Sequence, residues 1–159
     1  MSDIEYEVVK LLKDRGCHIT FAESCTAGLA AGRLVNVPDA SSVLDVSFVT
    51  YADEAKIKYL GVNPKTIEQF GVVSEEVAGE MCSGAANAMN AEVGVGITGI
   101  AGPTGATEKK PVGMVCFGFF INGRTVTFTK QFGNPGRNIV RKMSVDFVYD
   151  KLLELLSEL

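Results

Sequence analysis

The stretch from 113 to 132, "GMVCFGFFINGRTVTFTKQF", restricts the fold more than any other part of this chain. Two runs rich in β-branched and aromatic residues flank Asn122-Gly123. Both central positions of a two-residue hairpin turn need a positive φ, which Asn and Gly tolerate best. The segment therefore reads as two adjacent antiparallel strands. Upstream, the hydrophobic period keeps changing. Ser2 and Glu5 form a capping-box pattern around a helix that carries Ile4, Val8, Leu11 and Leu12 and ends near Gly16. "CHITFA" (17–22) reads as a strand, the small-residue run from Ser24 to Leu34 as a helix pressed on the sheet, and "VLDVSFVTY" (43–51) as a second strand. Asp53 caps a helix that carries Lys56 and ends at Gly61, and a Pro-initiated helical turn follows in "NPKTIEQFG". Ser74, ahead of Glu75 and Glu76, opens a long helix. "AEVGVGITG" (91–99) is a third strand, and a final helix spaces Ile139, Val140, Met143, Phe147, Leu152, Leu155 and Leu156. Strands and helices alternate, then give way to the hairpin and a closing helix. The expected architecture is one α/β domain over 1–159, a three-layer α/β/α sandwich on a mixed sheet.

Several function classes drop out on composition. No apolar run reaches the length of a membrane span, and the opening "MSDIEYE" is acidic, unlike a signal or transit peptide. The four cysteines (Cys17, Cys25, Cys82, Cys116) contain no C-x-x-C pair and read as reduced, buried residues of a cytoplasmic protein. With His18 as the single histidine, no metal site is expected. The net charge is −4, which disfavours nucleic acid as a partner. Yet no acid occurs between Glu108 and Asp146, where Lys109, Lys110, Arg124, Lys130, Arg137, Arg141 and Lys142 all fall. Such a block suits either a solvated face or a small anionic ligand.

Gly94-x-Gly96-x-x-Gly99 matches the dinucleotide fingerprint by letters only. Its glycines lie within a strand, and no ribose-binding acid follows at the required distance. Ser24 at a strand-to-helix junction is either an N-cap or a nucleophile whose oxyanion the helix start stabilises. A nucleophile needs a base, and Lys56 in the first turn of a helix is a better candidate than His18. Tyr51 can relay or orient through its hydroxyl. Thr98, Gly99 and Gly102 put small groups and free N–H donors at a strand end, where open α/β sheets bind ligands.

Five ordered blocks, "AESCTAG", "YADEAK", "GVVSEEV", "GITGIAGPTGAT" and "KPVG", resemble the CinA C-terminal domain, or nicotinamide-nucleotide amidase, family across essentially the whole chain. The resemblance implies a deamidase that converts nicotinamide mononucleotide to nicotinic acid mononucleotide and ammonia without metal or cofactor. It implies Ser24 as the acylated nucleophile, Lys56 as its general base and Tyr51 as part of the proton path. Cys25, Thr26, Gly28, Thr98, Gly99 and Gly102 fall on the oxyanion and substrate side, and Arg137, after "FGNPG", near the nucleotide phosphate. The family often carries this domain behind a larger N-terminal one, and a homodimer is expected, in keeping with the apolar "GMVCFGFFI". Three positions depart from the family pattern: Ala27 and Ala106 replace glycines, and Ala52-Asp53 replaces Ser-Asn. Asp53 would raise the pKa of a buried Lys56. The alternative is a nucleotide- or partner-binding module of the same fold without turnover. DNA binding linked to competence or damage responses rests on the family's historical name alone.

Overall fold

A computed structural model describes residues 3–159. The expected Ser2 cap lies outside them, and Asp3 occupies the N-cap of the first helix, α1 (Ile4–Asp14). Strand β1 (Ile19–Glu23) leads through a turn into α2 (Leu29–Val35), and β2 (Phe48–Val49) precedes α3 (Asp53–Leu60) and α4 (Pro64–Phe70). The long α5 (Glu75–Met89) is followed by β3 (Val93–Gly99), the hairpin strands β4 (Met114–Ile121) and β5 (Arg124–Gln131), and α6 (Arg137–Ser157).

The five strands lie in the order β2-β1-β3-β4-β5. β1 pairs in parallel with β2 and β3, while β4 runs antiparallel to both β3 and β5. The sheet is therefore mixed, as expected. Ile121 faces Arg124 across the hairpin, and Asn122 (φ 48) and Gly123 (φ 85) hold the turn in the left-handed region. Alternation sorts side chains between the two faces. Ile19, Phe21, Val93, Val95, Ile97, Val115, Phe117 and Phe119 point into the larger core, together with residues of α1, α2 and α6. That layer is latched by Tyr149, fully buried, whose hydroxyl donates to the Ala30 carbonyl at 2.6 Å. Arg33 adds bonds to Glu5 and Asp146 at 3.1 and 3.0 Å.

The opposite face explains the glycines of "AEVGVGITG". A Cβ on Gly96 would lie 2.4 Å from the Ala78 carbonyl oxygen, and one on Gly118 would lie 2.3 Å from the same atom. These glycines let the backbone of α5 rest directly on the sheet, so their role is close packing. Gly118→Ala is expected to cost about 1–3 kcal/mol, since backbone on both sides must separate. Chemical denaturation should show the midpoint falling with little change in slope.

Four expectations change in detail. The helix expected from Ser24 starts at Leu29, because Ala27 (φ 46) and Gly28 (φ 96) take left-handed conformations that a helix cannot accommodate. The strand expected over 43–51 shortens to Phe48–Val49, with an isolated bridge from Leu44 to Ile19. Asp53 is the first residue of α3 and makes no side-chain cap; Ala52 holds the N-cap position. The apolar "GMVCFGFFI" run is almost wholly buried within the sheet, so its composition reflects the core and does not mark a partner surface. Among the described residues, no helix is long and apolar enough to cross a membrane.

Candidate active site

The three parallel strands end on the same edge of the sheet. Ser24 follows β1, Thr50 and Tyr51 follow β2, and Thr98-Gly99 close β3. In open α/β sheets this carboxyl edge is where ligands bind, because the chain turns away from the sheet there and leaves a crevice. Here the crevice is a pocket of about 310 Å³. Ser24, Cys25, Tyr51, Lys56, Thr98, Gly99 and Arg137 line it, with Asp53, Val72, Val73, Thr104 and Gly105.

Lys56 is only 1% exposed, on the first turn of α3. Its Nζ lies 3.1 Å from Ser24 Oγ, 2.7 Å from the Thr50 carbonyl oxygen and 3.5 Å from that of Tyr51. Two residues 32 positions apart in sequence are thereby in hydrogen-bond contact. Burial holds the Lys56 pKa below the ordinary lysine value, while Asp53 and, more weakly, Cys25 pull it back upward. A neutral lysine has two N–H groups and one lone pair. When Lys56 is neutral, the two carbonyls can take its N–H groups, which leaves the lone pair to accept from the Ser24 hydroxyl; when protonated, Nζ donates to Ser24 Oγ. A base that is to take a hydroxyl proton must lie within such a distance of it.

Around this pair, the remaining residues separate into groups. Arg137, the first residue of α6, donates from one guanidinium nitrogen to the Gly102 carbonyl at 2.7 Å and from another to the Tyr51 hydroxyl at 3.0 Å. The Tyr51 side chain is exposed and its hydroxyl is engaged with Arg137, while its carbonyl faces Lys56. Thr98 is buried and donates its hydroxyl to the Val72 carbonyl at 3.0 Å. Burial pushes the Cys25 thiol up to about 12, which leaves it a poor nucleophile at neutral pH. Thr26, Gly28 and Gly102 lie outside the pocket wall: Thr26 is fully buried, Gly28 caps α2 and Gly102 supports Arg137. His18 sits at the other end of β1, paired with Asp45 at 2.6 Å. The basic block disperses as well. Arg137 alone of its seven cations lines the pocket, while Lys110 holds the Phe70 and Val73 carbonyls and Lys142 pairs with Asp146. Among the described residues, no group of three or more His, Cys, Asp or Glu is placed to hold a metal ion.

Two residues hold the serine turn: Glu23, which is assigned no role from the sequence, and Arg141, which enters there only as a member of the basic block. Glu23 is fully buried at the end of β1. Its carboxylate accepts from the Thr26 hydroxyl at 2.6 Å, the Ala30 N–H at 2.9 Å and the Ala31 N–H at 3.0 Å. It serves the α2 N-terminus as a long-range cap, from a position where an acid in an otherwise buried strand was the available signal. Arg141, one turn along α6 from Arg137, donates to the Cys25 carbonyl at 2.9 Å. Ala27, between these anchors, carries a Cβ in the left-handed region. Ala27→Gly relieves that strain and is expected to raise stability by roughly 0.5–1 kcal/mol, measurable by thermal unfolding.

Comparison with known proteins gives a consistent result. A family model described as "CinA C-terminal domain" matches residues 1–156. The chain is 47% identical over 150 residues to a competence-damage inducible protein of Alkaliphilus oremlandii, covering 94% of this chain and 36% of that one. It is 46% identical over 156 residues to a CinA-like protein of Kosmotoga olearia, covering 96% and 38%. The chain thus spans little more than a third of the length of these relatives. Among solved structures, a CinA superfamily protein of Klebsiella pneumoniae superposes with a TM-score of 0.93 at 32% identity, covering 98% of this chain and 97% of that one. A competence/damage inducible protein of Agrobacterium tumefaciens gives 0.89 at 37% identity, covering 98% and 96%.

Proposed function

The chain belongs to the CinA C-terminal domain family, and from that premise we propose that its pocket hydrolyses the carboxamide of nicotinamide mononucleotide through a serine acyl-enzyme. The observation that carries this reading is the 3.1 Å contact between Ser24 Oγ and the buried Lys56 Nζ at the carboxyl edge of the sheet. Neutral Lys56 takes the Ser24 proton as Oγ attacks the amide carbon. The protonated lysine then gives that proton to the departing nitrogen, which leaves as ammonia. Water attacks the resulting ester, with Lys56 again receiving a proton, and nicotinic acid mononucleotide departs as Ser24 is restored. The Thr98-Gly99 segment borders the space where the oxyanion forms, and Arg137 is the cation available to the phosphate. Tyr51 holds Arg137 in place and contributes its carbonyl to the lysine.

Purified protein should release ammonia from nicotinamide mononucleotide with no added metal. The rate should rise with pH as Lys56 loses its proton, along a limb centred below the ordinary lysine value of 10.5. Binding of the mononucleotide by calorimetry with no ammonia at any pH would instead establish the non-hydrolytic binding module.

A further inference from the structure

Besides Lys56, the pocket wall contains two charged side chains, Asp53 and Arg137. They differ in how they are held. Arg137 is fixed by Gly102 and Tyr51. The Asp53 carboxylate, on an exposed residue, has no hydrogen-bond or ion-pair partner among the described residues. It lies one turn before Lys56 on α3, so both project from the same side of the helix. It is close enough to act electrostatically on that lysine. Since Lys56 Nζ touches Ser24 Oγ, a carboxamide placed on the serine sits in the same pocket that the first turn of α3 lines with Asp53. One free negative group therefore stands near the nucleophile, and one anchored positive group elsewhere on the wall. The complement of such a pocket is a zwitterion with a positive charge close to its carboxamide and a negative charge farther along.

The geometry points to Asp53 as a specificity-determining residue whose carboxylate faces the positively charged pyridinium ring of the substrate and favours cationic N-substituted pyridine carboxamides over neutral ones. This inference rests on the amidase reading for the identity of the ligand. Asp53 is solvent-exposed, so its attraction for a nearby cation is screened and amounts to roughly a three- to tenfold effect on affinity. Asp53 also acts against catalysis, because it favours the protonated form of Lys56. Affinity for a cationic ring and basicity of the lysine are thus set in opposition by one side chain.

The test compares nicotinamide mononucleotide with its dihydro form, which has the same carboxamide, ribose and phosphate on a neutral ring. Affinities of both for the wild-type protein and for Asp53→Asn are measured by calorimetry, alongside the kinetics of ammonia release. Asparagine is the residue the family pattern places here, so the variant should fold and keep the Ser24–Lys56 contact; it lowers the Lys56 pKa for both ligands alike, so the readout is the difference between them. Wild type should prefer the oxidised form. Asp53→Asn should weaken binding of that form roughly three- to tenfold, with KM rising in step, while the dihydro form is unaffected. An equal change for both ligands, or none, overturns the inference even if ammonia is released normally. If ammonia is never released but the oxidised form loses affinity selectively, the amidase reading fails and the role of Asp53 stands. If the wild type binds neither form, both fail.

Discussion

Replacing Ser24 with Ala is expected to lower ammonia release from nicotinamide mononucleotide by about 10³-fold or more while leaving the mononucleotide bound. The hydroxyl contacts Lys56 at the pocket wall, so its loss removes the attacking atom with little loss of packing. Lys56→Met should cost about as much in turnover, since an unassisted serine hydroxyl is a weak nucleophile. The double variant should be hardly worse than either single one, because the two groups act as a unit. Steady-state ammonia release by the three variants checks this, and multiplicative losses would argue against a shared step. Stability should move in the opposite direction. The folded-state pKa of Lys56 is depressed, so between that value and 10.5 the unfolded chain binds more protons and stability rises with pH. At neutral pH the buried amine therefore opposes folding, and Lys56→Met should raise the melting temperature while abolishing activity.

Glu23→Ala has the largest expected effect on the fold itself. The carboxylate is fully buried and satisfies one hydroxyl and two main-chain N–H groups. Truncation leaves those donors without an acceptor in a space closed to solvent and removes the negative charge from the start of α2. Each unsatisfied buried donor costs on the order of 1–3 kcal/mol, and relaxation of the turn recovers part of the sum, so a loss of about 3–5 kcal/mol is expected. Equilibrium denaturation measures it directly. Glu23→Gln keeps one carbonyl oxygen, and should lose less. Because the same carboxylate orders the turn that carries Ser24, both variants should also turn over more slowly at temperatures where they remain folded.

Much of this was readable along the chain because it is a local property. Asn122-Gly123 fixes the hairpin through two positive φ angles, and Ser74 caps α5 by accepting from the Val77 N–H. The alternation of β3 and β4 already separates the two faces of the sheet. Where the local reading missed, side-chain contacts that propensity and hydrophobic period do not register had decided the matter. The small-residue run after Ser24 has helical composition, yet Glu23 and Arg141 pin its first residues in a turn and delay α2 to Leu29. The glycines of β3 resembled a phosphate-binding loop because the pattern records that something comes close. It does not record that the approaching group is the backbone of α5. The basic block looked like a single face, but a strand and a helix carry its members in different directions.

By itself, then, the sequence determined the order of elements, the mixed sheet and the residue types capable of serine–lysine chemistry, since propensity, turn geometry and hydrophobic period act over a few neighbours. Only the tertiary structure decided that Ser24 and Lys56 meet. Parallel pairing of β1 with β2 and β3 brings three distant strand ends to one edge of the sheet. The core then closes over Lys56, and its lowered pKa follows from that desolvation, which no residue carries in its own identity.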